Sequence, residues 1–244
     1  MSDIAIGDLS AVILVGGLGT RLQNVVADRP KPMAIINGRP FLEILVAQLA
    51  RAGVRDVILC VGHRAEVIEE HFRDGSRNGI SIRYAREKEL LGTAGAVRNA
   101  LDMVSSESFF VLNGDSYCSV DFSKLAAHHC GRDAAATIVA VETADCSRYG
   151  KLQLKADGVV EGFIEKADAS GSGWINAGIY LLQQAALQCL TPNKSASLER
   201  DVFPGLAKQH ALHAMKTTGA FIDIGIPSEL ERAQSLFASA DFSN

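Results

Sequence analysis

The chain has 244 residues, 48% of them hydrophobic, and a formal net charge of −4. This is enough to build one large α/β domain or two small ones, and it excludes the broad positive field of a nucleic-acid binder. The five cysteines are scattered and never spaced C-x-x-C, which excludes a zinc knuckle or disulfide frame and fits a reduced, cytosolic compartment. No apolar run approaches the roughly 20 residues of a membrane span. The acidic start carries no basic stretch of a secretory signal.

In chain order, 11–15 is a continuous apolar run closed by glycines, the pattern of a strand buried on both faces. Pro40 opens a helix in which Phe41, Leu42, Leu45, Val46 and Leu49 form the inner stripe. Glu43, Gln48 and Arg51 lie off that stripe, and Gly53 ends the helix. A strand at 57–61, a helix at 65–72, a strand at 80–84, a helix at 94–103 and a strand at 109–112 follow. A helix at 121–129 and a strand at 136–141 continue the alternation, which predicts a mostly parallel sheet with helices on both faces.

The second half changes character. Strand-like segments at 152–154, 159–164 and 174–182, with a turn at Ala156-Asp157-Gly158, predict a small antiparallel lobe. Helices return at 198–208 and from Ser228, where Leu230, Ala233 and Phe237 form a stripe. With no linker or repeat, one domain spanning 1–244 is the economical organisation.

The first strand runs directly into Gly16-Gly17-Leu18-Gly19-Thr20-Arg21. Glycines there let backbone N–H groups cradle an anion, and Arg21 adds a fork of donors suited to phosphate. A P-loop would end in Gly-Lys-Ser/Thr, and a dinucleotide fingerprint starting at Gly17 would need glycine where Leu22 stands. Ten residues on, Pro30-Lys31-Pro32 holds a lysine between two prolines, predicting an extended, rigid stretch. Asp115 and Asp223 each end a predicted strand, so both can reach the carboxyl edge of the sheet. Two carboxylates there suit Mg²⁺. Asp223, between Ile222 and Ile224, needs a cationic partner if buried.

Gly-Gly-x-Gly-Thr-Arg-Leu followed by Pro-Lys-Pro resembles the nucleotidylyltransferases that make nucleotide-activated sugars. Leu91-Gly92-Thr93-Ala94-Gly95, Asn113-Gly114-Asp115, Glu165-Lys166, Asn176-Ala177-Gly178 and 221–225 follow in the family's order, so the resemblance covers 11 to about 235. Asn24-Val25-Val26, the segment 197–204 and the segment 222–227 look like the branch acting on D-glycero-α-D-manno-heptose 1-phosphate with GTP. Val15 departs from the alanine usual there and is expected to crowd the base or sugar edge.

The resemblance implies a Rossmann-like, three-layer α/β fold with a mixed, mostly parallel sheet and a small antiparallel lobe. It places the nucleotide in about 11–130, and the sugar and second metal ligand in about 131–235. The reaction implied is attack of a sugar 1-phosphate oxygen on the α-phosphorus of a nucleoside triphosphate, catalysed mainly by positioning and charge neutralisation. Arg21 would hold the leaving pyrophosphate, Lys31 the α-phosphate and Lys166 the sugar phosphate. Gly16, Gly17, Gly19, Thr20, Glu87, Gly92, Thr93 and Asn113 would line the nucleotide. Tyr149, Gly150, Glu165 and Asn176 would line the sugar, and Asp115 and Asp223 would bind Mg²⁺. Glu87, or its neighbour Glu89, would accept from guanine N1–H and N2–H₂, although the single N3–H of uracil or thymine also fits a carboxylate.

GDP-heptose, a precursor of surface glycans, is the implied product. Mannose 1-phosphate, or a hexose 1-phosphate with UTP or dTTP, is the alternative. A glycosyltransferase is disfavoured, because Asp115-Ser116-Tyr117 is not Asp-x-Asp. Relatives of this kind commonly form homodimers. His128-His129 cannot face one site from adjacent helical positions, and His63 reads as a loop residue.

Overall fold

The computed structural model describes residues 5–17, 29–164 and 168–238. The strands of its first half are β1 (Ser10–Leu14), β2 (Ile35–Ile36), β3 (Arg39–Pro40), β4 (Asp56–Val61), β5 (Ser81–Arg86), β6 (Ser108–Asn113) and β7 (Ser116–Cys118). Those of the second half are β8 (Ala136–Thr143), β9 (Lys151–Leu154), β10 (Val160–Ile164), β11 (Gly173–Gln183), β12 (Leu212–Thr217) and β13 (Phe221–Asp223). The α-helices are α1 (Phe41–Ala52), α2 (Ala65–Phe72), α3 (Gly92–Ala100), α4 (Phe122–Cys130), α5 (Phe203–Lys208) and α6 (Pro227–Ala238).

Seven strands form one sheet in the order β12-β8-β11-β6-β1-β4-β5. Every neighbouring pair is parallel except those made by β11, which runs antiparallel to both β6 and β8. Alternate side chains of β1 enter opposite cores: Ala11 and Ile13 pack on one face, Val12 on the other. The first core is roofed by α1, α2, α4 and α6 through residues such as Phe41, Leu45, Phe72, Phe122 and Phe237. The second is roofed by α3 and α5 and by the β9–β10 hairpin, through Ala94, Val97, Phe203 and Val160. This is the three-layer α/β arrangement expected from the alternation of elements.

Local chemistry sets the element ends. Gly53 closes α1 in the left-handed region (φ 99°), with its N–H on the carbonyls of Leu49 and Ala50. Asp121 caps α4 by accepting from the N–H groups of Ser123 and Lys124.

Four expectations change. The segment at 174–182 belongs to the centre of the main sheet as β11, so only β9 and β10 make the separate hairpin. The helix at 198–208 splits into a π-helical turn (Leu198–Val202) and α5, with Phe203 N–H bonded back to Leu198 O. Pro204, lacking an N–H, cannot continue that ladder. Pro30-Lys31-Pro32 is not extended: Lys31–Met33 form a single 3-10 turn. Gln48, placed off the inner stripe of α1, is buried, and its Nε2 donates to Cys118 O at 2.7 Å.

Candidate active site

At the carboxyl edge of the sheet, β1 and β6 end side by side in Gly16-Gly17 and Asn113-Gly114-Asp115. Gly114 N–H donates to Leu14 O at 2.9 Å. A Cβ on Gly114 would lie 2.6 Å from that oxygen and 2.6 Å from Val15 Cγ1, so only glycine lets the two strand ends approach this closely. Val15 points into the main core and is 1% exposed. It therefore packs under the strand ends and does not crowd the site edge as expected.

Asp115 and Asp223 do converge, although Asp223 arrives by another route. It ends the short ribbon in which β13 pairs antiparallel with β7, opposite Ser116. Ile224 N–H then donates to Asp115 O at 3.0 Å, fixing the two aspartates side by side. Ser116 Oγ donates to Asp115 Oδ1 at 3.1 Å.

Lys31 reaches between them, with Nζ 2.6 Å from Asp115 Oδ2 and 3.8 Å from Asp223 Oδ1. Burial, reinforced by the neighbouring Asp115 charge, raises the Asp223 carboxyl above the usual aspartate range, while Lys31 and Arg148 oppose the rise. The cationic partner that a buried Asp223 requires is thus present. Two hard carboxylates converging where an ammonium already sits suit a divalent cation with oxygen ligands.

A second group lies toward β4 and β5. Glu87 Oε2 accepts from Leu91 N–H at 3.0 Å, and its other oxygen lies over Gly16, where a Cβ would come within 2.7 Å. Burial raises the Glu87 carboxyl, and the Leu91 bond opposes this. One Glu87 oxygen thus secures its own loop. Gly92 has φ 70°, and a Cβ there would meet Ala196 O at 2.6 Å.

Thr93 and Asn176 share one polar network. Asn176 Nδ2 donates to Tyr180 Oη at 2.8 Å, with the Asn113 side chain close by. Tyr180 Oη donates to Glu199 Oε1 at 3.3 Å, and Thr93 Oγ1 donates to Glu199 Oε2 at 3.1 Å. A bulge between Asn176 and Tyr180 in the pairing of β11 with β8 accompanies this arrangement. Tyr180 and Glu199 were absent from the expected site. Tyr180 reads as core in a strand, and Glu199 reads as one residue of a helical segment. The only sequence signal was the nearness of Glu199 to Ser197 in the block at 197–204.

Tyr149 packs edge-on against Phe221 with ring centroids 5.6 Å apart, and the Arg148 guanidinium lies 5.0 Å from its ring centre. Phe221 and Asp223 share a face of β13, so Tyr149 lies on the Asp223 side of that strand, and Gly150 follows it with φ 77°. Gly19, Thr20, Arg21, Asn24, Val25, Val26, Glu165 and Lys166 lie outside the described residues. Of the expected site, the structure therefore assembles Lys31 with Asp115 and Asp223, Gly16 with Glu87, and Thr93 with Asn176.

Paired aspartates and a lysine at the carboxyl edge of a mostly parallel sheet, beside Gly16-Gly17 at the end of β1, define a nucleotide-handling α/β protein. Residues 10–239 match the nucleotidyl transferase family, and the chain belongs to that family. It is 37% identical over 233 residues to the mannose-1-phosphate guanylyltransferase catalytic subunit beta of Drosophila melanogaster, covering 94% of this chain and 63% of that protein. The chain thus spans less than two thirds of that relative's length. It is 37% identical over 227 residues to the D-glycero-alpha-D-manno-heptose 1-phosphate guanylyltransferase of Aneurinibacillus thermoaerophilus, covering 93% of this chain and 97% of that protein. The solved structure of HddC from Yersinia pseudotuberculosis complexed with GMP-PN superposes with a TM-score of 0.82 at 36% identity, covering 94% and 99% of the two chains.

Proposed function

We propose that this protein transfers GMP from GTP to D-glycero-α-D-manno-heptose 1-phosphate, giving GDP-heptose and pyrophosphate. The observation that carries this reading is the convergence of Lys31, Asp115 and Asp223 at the carboxyl edge of the sheet. Similarity to a heptose 1-phosphate enzyme along nearly its whole length supports the sugar. Mannose 1-phosphate is the second reading, favoured by the equal identity to the Drosophila enzyme.

A phosphate oxygen of the sugar 1-phosphate attacks the α-phosphorus of GTP. The new P–O bond forms as the bond to the β-phosphate oxygen breaks, and pyrophosphate leaves with that electron pair. Both reactants are polyanions, so bringing them into line and neutralising their charge is the main catalytic task. Lys31, freed from its carboxylates, neutralises the α-phosphate. Gly16, Gly17, Gly19 and Thr20 cradle the triphosphate through backbone N–H groups, and Arg21 restrains the departing pyrophosphate.

Lys166 holds the sugar phosphate, and Glu165, Asn176, Tyr149 and Gly150 line the sugar. Glu87 accepts from the guanine edge with the lone pairs that Leu91 leaves free, and Gly92, Thr93 and Asn113 complete the nucleotide side. Asp115 and Asp223 are the residues to hold Mg²⁺, which when bound supplies charge neutralisation to the phosphates.

Residues of about 11–130 thus serve the nucleotide, and about 131–235 the sugar and the second carboxylate. GTP is drawn from the cytoplasm, and we place the reaction there. Among the described residues no helix is long and apolar enough to cross a membrane. Pyrophosphate release measured over a matrix of nucleoside triphosphates and sugar 1-phosphates tests the reading. Release with GTP and the heptose phosphate supports it, and none with any sugar 1-phosphate refutes it.

A further inference from the structure

The nucleotide-side residue Thr93 and the sugar-side residue Asn176 meet at a carboxylate outside both motifs. Glu199 Oε2 accepts from Thr93 Oγ1 at 3.1 Å and from Ser197 Oγ at 2.8 Å, while Oε1 accepts from Tyr180 Oη at 3.3 Å. Thr93 Oγ1 itself accepts from Leu198 N–H at 2.8 Å, so its proton is committed to Glu199.

The directions of these bonds are fixed from the backbone outward. Asn176 Oδ1 accepts from Gly178 N–H at 2.9 Å, which leaves its Nδ2 to donate to Tyr180 Oη at 2.8 Å. The Asn113 side chain lies close by, and Gly178, with φ 75°, leaves it room, since a Cβ there would lie 2.8 Å from Asn113 Nδ2. Tyr180 is fully buried. Its hydroxyl accepts from the Asn176 amide and keeps one proton, whose acceptor is Glu199. A network of this kind stands or falls on having every member satisfied.

Resting on the nucleotidyl-transfer reading above, we propose that Glu199 is a positioning residue that couples the two substrate subsites. Its acceptor-only carboxylate holds Thr93 on one side and, through Tyr180, Asn176 on the other. A glutamine of the same shape presents a donor to one of these hydroxyls and reverses one arm of the network.

The test compares Glu199→Gln, Glu199→Ala, Thr93→Val and Tyr180→Phe with the wild type. Steady-state pyrophosphate release is measured with GTP and whichever sugar 1-phosphate the wild type uses, alongside the thermal midpoint. Glu199→Gln is expected to raise KM for the sugar phosphate by about tenfold, one network hydrogen bond's worth. KM for GTP should rise by at least about threefold, with a smaller change in kcat. Thr93→Val should also raise the sugar KM, and this effect should vanish in the Glu199→Ala background.

Both KM values staying within twofold of wild type in Glu199→Gln, or a lowered thermal midpoint with unchanged KM values, overturns the proposal. Should Glu199→Ala not fold, Glu199→Gln and Tyr180→Phe supply the same comparison, the sugar KM rising in both. A wild type inactive with every sugar 1-phosphate refutes the functional reading alone. Calorimetric titration with a non-hydrolysable GTP analogue then decides the role of Glu199: threefold weaker binding in Glu199→Gln sustains it, and unchanged binding overturns it.

Discussion

Lys31 occupies the space between the two carboxylates proposed to hold Mg²⁺, so removing its charge should have opposite effects on metal binding and on turnover. At 2.6 and 3.8 Å the gross attractions to Asp115 and Asp223 are about 6 and 4 kcal/mol at an effective dielectric constant of about 20. Desolvation offsets most of this, and the Asp115 side chain, 38% exposed, is further screened by water. A net of about 1–3 kcal/mol is what a cation must displace to enter the nucleotide-free site. Lys31→Met keeps the stem and removes the ammonium, so Mn²⁺ should bind the nucleotide-free variant about 10- to 100-fold more tightly. Turnover should fall by about 10²-fold or more, because the ammonium proposed to neutralise the α-phosphate is gone. The electron paramagnetic resonance signal of free Mn²⁺, titrated with each protein, reads the affinity directly. Equal or weaker Mn²⁺ binding by Lys31→Met would refute the reasoning.

Asp223 is raised by burial and by Asp115, so its folded value lies above its unfolded one. Its contribution to stability is full below the ordinary aspartate range and is lost as pH rises through the raised value. Asp223→Asn should therefore melt no lower than wild type at pH 7.5, keep less advantage as pH falls, and lose turnover by about 10²-fold. A lower melting point with intact turnover would contradict this. Gly178→Ala places a side chain at φ 75°, 2.8 Å from Asn113 Nδ2. A cost of about 1–2 kcal/mol for that backbone alone should lower the melting point by several degrees, about 2–4 °C per kcal/mol in a chain of this size. An unchanged melting point would sink the argument. His129, buried beside His128 and His213, is pulled from about 6.5 down to about 4, mainly by burial. Its stabilising contribution is present above pH 6.5 and lost as pH falls toward 4. His129→Gln should flatten the melting-point profile across that window, and a profile as steep as the wild type's would count against it.

The parallel half of the fold was legible because its strands and helices follow one another with clear punctuation. Ala65–Phe72 falls at the expected boundaries, and Gly53 ends α1 in the left-handed region that glycine permits. The second half was harder because nothing local tells a central antiparallel strand from a lobe strand. Trp174 to Leu182 are apolar in either setting, and only the pairing with β6 and β8 decides. β12 was missed at the sheet edge, where Leu212 and Ala214 point inward while His213 and Met215 stay half exposed. Gln48 violated the helical stripe because its partner, the Cys118 carbonyl, comes from β7, seventy residues away.

The site divides along the same line. Asp115 and Lys31 sit in short motifs of distinctive composition, so the sequence singles them out, although it misjudges the local geometry at Lys31. The β7–β13 ribbon that delivers Asp223 is a long-range pairing of two three-residue strands, too short to signal itself. Tyr180 and Glu199 were invisible for a different reason. Their proposed role lies in which hydroxyl donates to which oxygen, and that follows only once β11 and the π-helical turn are packed together.

The central claim, guanylyl transfer to a heptose 1-phosphate, is tested most directly by kcat/KM for pyrophosphate release with GTP, comparing D-glycero-α-D-manno-heptose 1-phosphate with mannose 1-phosphate. The account expects the heptose phosphate to be used about tenfold or more efficiently, the worth of one additional substrate contact realised in the transition state. A preference for mannose 1-phosphate would contradict the assignment of the sugar, and no release with either would contradict the proposed reaction itself.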